Sequence, residues 1–227
     1  MKAVILAGGF GKRLRPLTES IPKPLVEIGG KTILERQIEW LGNNDVKEII
    51  LCIGFLKDKI IEYINNETNN TISLKYVIEK EPLGTGGALL NSKELLKGEE
   101  EFIVMNGDII TDLDPSELKK KMNKNIGVLS LIPLRSQYGI VDVDNNGKIT
   151  QFKEKPIISE YWVNAGVYML NKEIFNYLDE KSSIEKDAFP ELVNENKLAA
   201  IKFREQFWKS IEVVKDIEEV EQQLQRK

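Results

Sequence analysis

The chain begins with a short apolar strand that runs directly into a loop rich in glycine and positive charge. Val, Ile and Leu occupy residues 4–6, and Gly8, Gly9 and Gly11 follow them. An apolar run of this kind predicts a strand buried on both faces. We therefore expect the loop at the carboxyl edge of a parallel sheet, where open α/β folds bind ligands. Because glycines let backbone N–H groups approach an anion closely, the sequence predicts a phosphate-binding loop.

Two familiar glycine motifs do not fit this loop. A dinucleotide fingerprint needs a third glycine where Leu14 stands, and a P-loop needs Ser or Thr where Arg13 follows a lysine. These differences argue against a dehydrogenase, a kinase and an ATPase. The bland alternative is a surface turn with solvated basic side chains. Three spaced cations, Arg13, Arg15 and Lys23, favour phosphate binding over that alternative.

The segment LAGGFGKRLRPLT at residues 6–18, followed by PKPL at residues 22–25, resembles the signature of the sugar-1-phosphate nucleotidyltransferases. The resemblance implies that the loop surrounds the triphosphate of a nucleotide. It also implies that Arg13 and Lys23 neutralise phosphates and take part in catalysis. The nucleotide contacts that it implies in this loop are Ala7, Gly8, Gly9, Gly11, Arg13 and Lys23.

The amino-acid composition excludes several classes of partner and of chemistry. A net charge of −4 argues against a nucleic-acid partner. The sequence contains no run of 18 apolar residues, so it predicts no membrane-spanning segment. We expect a cytoplasmic protein of one catalytic domain, residues 1–227, and a homo-oligomer remains open. The chain has no histidine, so its chemistry must use carboxylates, Lys, Arg and backbone groups. That set suits transfer from a magnesium-bound triphosphate and disfavours a phosphohistidine route. The lone Cys52 is expected to be a buried hydrophobe.

Hydrophobic patterns predict an α/β fold with a mostly parallel, Rossmann-like central sheet flanked by helices. The first predicted strands are residues 2–6, 48–53, 72–78 and 102–105, with helices near 32–41, 57–64 and 86–96. After Gly127 strands predominate and predict an antiparallel extension on the sugar side of the site, at residues 128–133, 140–143, 148–152 and 163–169. Helices resume near 174–178, 188–195 and 217–224. Longer members of the resembling family append a C-terminal β-helix, which is not expected here.

The predicted strand at residues 102–105 ends in Asn106-Gly107-Asp108, at the same sheet edge as the first loop. A carboxylate there is a suitable Mg²⁺ ligand, and the resemblance implies that Asp108 is catalytic and binds metal and nucleotide. The structural alternative is a cap on the following turn. Nearby, Asp112 and Asp114 form a D-x-D pattern found in glycosyltransferases, although Asp114 before a proline equally predicts a helix cap.

A second glycine-rich turn, EPLGTGGA at residues 81–88, leads from a strand into a helix. It resembles the family's L-G-T-x-G loop beside the nucleobase. The resemblance implies nucleotide contacts from Gly84 and Thr85 together with Glu79, which precedes the turn.

Three further motifs follow in the family's order: Tyr138-Gly139, Glu154-Lys155 and Asn164-Ala165-Gly166. The resemblance implies that Lys155 holds the sugar 1-phosphate. By the same match, sugar hydroxyls are bound by Glu154, Asn164 and the Gly139 backbone. An ordinary exposed ion pair is the alternative for Glu154 and Lys155. Near the end, the segment from Trp208 resembles a W-x-x-[IM]-D-T variant in which Glu212 replaces the second metal-binding aspartate.

The resemblance implies that a sugar 1-phosphate attacks the α-phosphorus of a nucleoside triphosphate, giving an NDP-sugar and pyrophosphate. Phe10 and residues 82–88 and 183–190 resemble guanylyltransferases acting on mannose or heptose 1-phosphate, which favours GTP. The Trp208 segment resembles cytidylyltransferases, so CTP, UTP and dTTP stay open. A glycosyltransferase that uses NDP-sugars, or a regulatory homologue without turnover, is the other alternative.

Overall fold

The computed structural model describes residues 1–66 and 71–225, so residues 67–70 and 226–227 of the predicted domain lie outside the described residues. The strands are β1 (Lys2–Ala7), β2 (Glu27–Ile28), β3 (Lys31–Thr32), β4 (Glu48–Ile53), β5 (Ser73–Ile78), β6 (Glu101–Asn106), β7 (Ile109–Thr111), β8 (Gly127–Arg135), β9 (Ile140–Val143), β10 (Ile149–Lys153), β11 (Ile157–Asn171), β12 (Leu198–Lys202) and β13 (Trp208–Ser210). The α-helices are α1 (Ile33–Asn43), α2 (Lys57–Asn66), α3 (Gly84–Asn91), α4 (Pro115–Lys121), α5 (Phe189–Asn194) and α6 (Val214–Leu224).

The central sheet has seven strands in the order β12-β8-β11-β6-β1-β4-β5. Strand β1 pairs in parallel with β4 and β6, and β4 pairs in parallel with β5. Strand β12 is parallel to β8, whereas β11 runs antiparallel to both of its neighbours. The predicted mostly parallel sheet flanked by helices is therefore confirmed. Its carboxyl edge collects the loops that follow β1, β5 and β6.

Both faces of the sheet are buried, because successive side chains of a strand point to opposite sides. Along β4, Ile49 and Leu51 pack with α1 and α2 on one face. Ile50 and Cys52 pack with α3 and α5 on the other. Burial raises the pKa of the Cys52 thiol, which confirms its expected role as a buried hydrophobe rather than a nucleophile.

The antiparallel extension is smaller than the sequence predicted. Strands β8 and β11 belong largely to the central sheet, because their inner halves carry the apolar side chains that the sheet buries. A separate hairpin is formed by β9 and β10, and its turn at residues 144–147 is closed by a backbone bond from Gly147 N to Asp144 O of 3.0 Å. The predicted helix at residues 174–178 is instead a 3-10 helix, Lys172–Tyr177.

A small third core joins the first loop to the end of the described chain. Leu14 from that loop packs with Ile33 of α1, with Ile211, which follows β13, and with Val220 of α6. This contact places the segment around Ile211 against the first loop. It follows from side chains far apart in sequence, which local patterns do not reveal.

Two structural features, a membrane-spanning helix and a β-helix, are absent from the described residues. No helix within residues 1–66 and 71–225 is long and apolar enough to cross a membrane. The same residues contain no β-helix.

Replacing Ile50, which is fully buried in β4, should test the two-faced core. We expect Ile50→Ala to lower the free energy of unfolding by about 2–5 kcal/mol, since it removes apolar contacts and leaves a cavity. The matched Ile149→Ala variant, on the exposed hairpin, should cost less than about 1 kcal/mol. Urea denaturation measures both, and equal losses would contradict the assignment of Ile50 to the core.

Candidate active site

A cleft of about 440 Å³ lies at the carboxyl edge of the sheet, between the loops that follow β1, β5 and β6. The side chains and backbone of all the predicted nucleotide and metal positions line it: Ala7, Gly8, Gly9, Gly11, Arg13, Lys23, Glu79, Gly84, Thr85, Asp108 and Glu212. The volume is that of a small-molecule site, with polar groups from several elements converging on one space.

The first loop is shaped by a 3-10 turn, Lys12–Leu14, that starts immediately after Gly11. The Gly11 carbonyl accepts bonds from Leu14 N at 2.9 Å and from the Thr18 hydroxyl at 2.8 Å. Because the Leu14 side chain is buried, the adjacent Arg13 is directed outward, and its side chain is 68% exposed. The loop therefore presents an exposed cation on a backbone held by hydrogen bonds.

Asp108 follows β6 and is held in an ion pair with Lys23, whose Nζ lies 2.7 Å from Asp108 Oδ2. The turn that carries Asp108 is fastened by Gln37 of α1. Its buried amide donates to Asn106 O at 3.0 Å and to Ile109 O at 2.9 Å. Helix α1 thus fixes both ends of the turn, and Asp108 projects from a rigid position.

Glu212 reaches the same place through a second, short sheet. Strand β13 pairs antiparallel with β7, with Ser210 opposite Ile109, and Ile211 N then donates to Asp108 O at 2.9 Å. The next residue, Glu212, lies beside Asp108 and forms an ion pair with Arg13. The two predicted metal ligands are therefore neighbours, and each is paired with a predicted phosphate-binding cation.

This donor set fits a magnesium ion. Mg²⁺ in nucleotide sites is typically held by one or two carboxylates, with phosphate oxygens and water completing the shell. Asp108 and Glu212 place two such carboxylates in the lining of the cleft. Within residues 1–66 and 71–225, no group of three or more His, Cys, Asp or Glu side chains forms a protein-only metal cage.

Glu79 follows β5 and lines the same cleft. Its carboxylate sits against the backbone of the first loop, so a Cβ at Gly8 would lie 2.1 Å from Glu79 Oε1. Burial raises the pKa of Glu79, and a hydrogen bond from Leu83 N to Oε2 at 3.3 Å offsets part of that effect. No ion pair among the described residues includes Glu79. It is a half-buried acceptor facing the cleft.

The second glycine-rich turn starts α3 against the chain at residues 180–182. Gly84 has φ of +76°, and a Cβ there would lie 2.4 Å from Ser182 O, so this position requires glycine. Thr85 lines the cleft and donates from its hydroxyl to Glu185 Oε2 at 2.6 Å. The turn thus combines close packing with a polar group at the cleft wall.

The structure places the four predicted sugar-side residues in two different regions. Asn164 does not line the cleft itself, but it accepts from Gly166 N at 2.9 Å, and a Cβ at Gly166 would lie 2.8 Å from Asn106, which does line it. Gly139, Glu154 and Lys155 do not line the cleft and belong to the extension. A Cβ at Gly139 would lie 3.0 Å from Glu154 Oε2.

Glu154 and Lys155 form an exposed ion pair of 3.8 Å in the extension. Lys155 has φ of +44°, which is costly for a residue with a Cβ. Residues held in this way occur often at ligand sites, so the observation is compatible with the predicted phosphate contact.

The comparison with known families follows from this geometry. A family model described as Nucleotidyl transferase matches residues 2–227, from the first loop through the Glu212 segment. The chain belongs to the nucleotidyl transferase family.

Curated relatives of this nucleotidyl transferase include two guanylyltransferases. A mannose-1-phosphate guanyltransferase of Yarrowia lipolytica is 36% identical over 95% of this chain. This chain spans 62% of that relative's length. A D-glycero-alpha-D-manno-heptose 1-phosphate guanylyltransferase of Campylobacter jejuni is 39% identical over 86% of both chains.

Among solved structures, HddC from Yersinia pseudotuberculosis superimposes with a TM-score of 0.78 at 30% identity, covering 98% of this chain and 99% of HddC. A structure of HddC complexed with GMP-PN gives a TM-score of 0.77 with the same identity and coverage. A glucose-1-phosphate thymidylyltransferase described as putative, from Bacillus anthracis, shares the fold with a TM-score of 0.77 at 20% identity, covering 98% of this chain and 94% of its own.

The D-x-D pattern of this nucleotidyl transferase has a structural role. Asp114 Oδ1 accepts from Ser116 N at 2.8 Å and caps α4, which confirms that prediction. Asp112 Oδ1 accepts from Phe207 N at 2.7 Å and holds the segment that leads into β13. Neither aspartate lines the cleft, so the pattern gives no support to a glycosyltransferase.

Sequence reasoning missed three polar residues around the nucleotidyl transferase cleft. Gln37 looked like an ordinary helix residue, and Glu185 lay in a segment noted only for its resemblance. Asn106 also lines the cleft. It belongs to the Asn106-Gly107-Asp108 motif, from which only the aspartate is predicted as a site residue. Only the three-dimensional structure shows that Gln37 and Glu185 lie near the site.

The Glu79→Gln variant tests the half-buried carboxylate. Folding raises its pKa above the ordinary value of 4.5, so the folded chain holds this proton more tightly than the unfolded chain. The resulting stability is present below that value and is lost as pH rises through the raised pKa. We expect the free energy of unfolding of Glu79→Gln, relative to wild type, to increase between pH 4 and pH 8 in urea denaturation. The exposed Glu62→Gln variant is the control, and a flat difference for Glu79→Gln would contradict the assignment.

Proposed function

We propose that this nucleotidyl transferase transfers a nucleotidyl group from a nucleoside triphosphate to a sugar 1-phosphate. The observation that carries the proposal is the pair of ion pairs in one cleft, Arg13 with Glu212 and Lys23 with Asp108. They combine two phosphate-binding cations with two metal-binding carboxylates beside a glycine-rich loop. A triphosphate with its metal is the ligand that uses all four groups.

In the proposed reaction, a phosphate oxygen of the sugar 1-phosphate attacks the α-phosphorus of the nucleotide. A new P–O bond forms as the bond to the β-phosphate bridging oxygen breaks, and the electron pair leaves with pyrophosphate. Arg13 and Lys23 exchange their carboxylate partners for phosphate oxygens and stabilise the charge that accumulates on the leaving group. Positioning and charge neutralisation are the main demands of this chemistry.

Asp108 and Glu212 are the residues that would hold Mg²⁺. When bound, the ion neutralises phosphate charge and orients the oxygens for in-line displacement. Glu212 has one more methylene than the aspartate of the resembling pattern, and its ion pair with Arg13 keeps it within the cleft. The pairing of β13 with β7 supports its assignment as second ligand, since it fixes the backbone beside Asp108.

GTP is the proposed nucleotide. Asp108 follows β6 and Glu79 follows β5, with β1 and β4 between these strands, so the cleft offers carboxylates for a metal and a separate acceptor for a base. A carboxylate without a cation partner can accept two hydrogen bonds from the N1–H and N2–H groups of guanine. Uracil and thymine offer one ring N–H between two carbonyl oxygens, which a carboxylate repels. The names of the curated relatives point to guanine as well.

Mannose 1-phosphate and a heptose 1-phosphate are the proposed sugar substrates, because the relatives are named for these sugars. Asn164 lies beside the cleft and has amide capacity left for a hydroxyl. Glu154, Lys155 and the Gly139 backbone would meet the sugar 1-phosphate if the extension approaches the cleft when the substrate binds.

A matrix of ATP, GTP, CTP, UTP and dTTP against several sugar 1-phosphates, with Mg²⁺ and read by pyrophosphate release, tests the proposal. We expect turnover with GTP and mannose or heptose 1-phosphate. Arg13→Ala and Asp108→Ala should each lower kcat by a factor of about 100 or more. Asp58→Ala, which removes a carboxylate that is 90% exposed on α2, should leave kcat unchanged. Nucleotide binding without turnover across the whole matrix would instead support a regulatory homologue.

Base selection gives a separate prediction. Glu79→Gln replaces one acceptor oxygen by a donor NH₂, so it should weaken bonding to guanine and favour a ring N–H beside a carbonyl. We expect kcat/KM for GTP to fall by about 10-fold to 100-fold while kcat/KM for UTP or dTTP rises relative to it. Steady-state kinetics with each nucleotide measures the change. Unchanged selectivity would remove Glu79 from base recognition and leave the phosphate end of the proposal intact.

A further inference from the structure

The carboxylate of Glu185 links the nucleotide turn to the predicted sugar strand. Its Oε2 accepts from the Thr85 hydroxyl at 2.6 Å and from the Ser183 hydroxyl at 2.9 Å. Its Oε1 accepts from the Tyr168 hydroxyl at 3.3 Å, and Asn164 Nδ2 donates to that same hydroxyl at 2.7 Å. One side chain therefore joins the start of α3 to the strand that carries Asn164.

The local backbone explains why Glu185 points inward. Ser183 precedes a π-helical turn, Ile184–Ala188, and its hydroxyl accepts from Lys186 N at 3.2 Å. In return, Asp187 Oδ2 accepts from Ser183 N at 2.7 Å. These reciprocal caps fix the turn, and Ile184 N adds a bond to the Thr85 hydroxyl at 2.9 Å. Glu185 is thus directed toward the core while Lys186 and Asp187 are exposed.

Each hydrogen bond in this network has a defined donor and a defined acceptor. Tyr168 is fully buried and packs edge-on against Phe189 at 5.1 Å. Burial and the neighbouring charge of Glu185 raise the pKa of the Tyr168 hydroxyl, which therefore stays protonated and donates. Asn164 uses one amide proton for Tyr168 and its oxygen for Gly166 N at 2.9 Å. Its second amide proton and one lone pair remain for a ligand.

Directional bonding, rather than ion pairing, holds Glu185. None of the ion pairs in the described part of the chain includes it, and its three partners are all hydroxyl donors. An acceptor bonded on both oxygens orients two elements at once. A neutral replacement of the same shape would break that orientation without leaving a charge unpaired.

We infer that Glu185 is a positioning residue that sets the placement of the predicted sugar contact Asn164 relative to the nucleotide turn at Thr85. The inference rests on the proposed function. Glu185 does not line the cleft, so it acts through Thr85 and Tyr168 and not on the substrates directly. The two substrates of a transfer reaction must be held in a fixed mutual geometry, and misplacement by about 1 Å can cost a factor of about 100 in rate.

The Glu185→Gln variant separates orientation from folding. Two hydroxyls donate to the Oε2 position, so the glutamine oxygen is expected there, and the NH₂ group then faces the Tyr168 hydroxyl. The Tyr168 hydroxyl then has no acceptor at residue 185, so the bond that it donates there is lost at constant volume, and its oxygen faces a second NH₂ donor beside that of Asn164. Tyr168→Phe removes the same bond from the other side, together with the acceptor of Asn164 Nδ2, while keeping the ring. Glu191→Gln, an exposed residue on α5, is the matched control.

The experiment measures kcat, both KM values and the melting temperature for wild type, the three single variants and the Glu185→Gln/Tyr168→Phe double variant. We expect kcat to fall about 10-fold to 100-fold in Glu185→Gln and Tyr168→Phe, with both KM values within about threefold of wild type. The double variant should be no slower than the slower single variant, because both break one linkage. Glu191→Gln should match wild type.

Three results would overturn the inference, and the first two are kinetics of Glu185→Gln equal to those of Glu191→Gln and kcat losses that multiply in the double variant. A fall in kcat that disappears when the assay is run well below the variant's melting temperature would also overturn it, since that marks a structural role. Failure of the proposed function is distinguished by the wild type itself, which would then release no pyrophosphate with any substrate pair.

Discussion

The short antiparallel pairing of β13 with β7 is the contact on which the candidate site depends. It continues as the bond from Ile211 N to Asp108 O, and it places Glu212 beside a carboxylate that is 104 positions earlier in the chain (212 − 108). Trp208 fastens the same strand to β11 by donating to Ala165 O at 2.7 Å. The turn that carries Asp108, the first loop and β11 are thus joined through the three residues of β13 and the segment after it, and the third core buries Ile211 to keep them there.

The sheet edge organises the other half of the cleft. Strands buried on both faces cannot shift by one residue without moving apolar side chains across the sheet, so the ends of β1, β5 and β6 have a fixed register. The loops that follow these ends carry the cations, Glu79 and Asp108. Gln37 extends this order from the core to the site, since it bonds both ends of the Asp108 turn. Geometry at the phosphate end is a direct product of core packing.

Much of this was predictable from local pattern. Apolar runs bounded by glycine identified β1, β4, β5 and β6, and motif spacing identified the residues that line the cleft, because strand ends of a parallel sheet meet at one edge. Pattern failed where the determinant is contact between distant segments. Strand β13 is three residues long and polar on one side, and Gln37 and Glu185 have ordinary helical surroundings. Their partners are 69 and 100 positions away, so no window of sequence contains both members.

The two ion pairs of the cleft differ in their exposure to solvent. Lys23 and Asp108 are 16% and 25% exposed, whereas Arg13 and Glu212 are 68% and 41% exposed. Mobile ions in solution screen the outer pair strongly, and such exposed pairs contribute about 0–1 kcal/mol. The inner pair is shielded from them. Physiological salt therefore weakens the outer pair more than the inner one, so that Arg13 is released from its carboxylate more easily than Lys23.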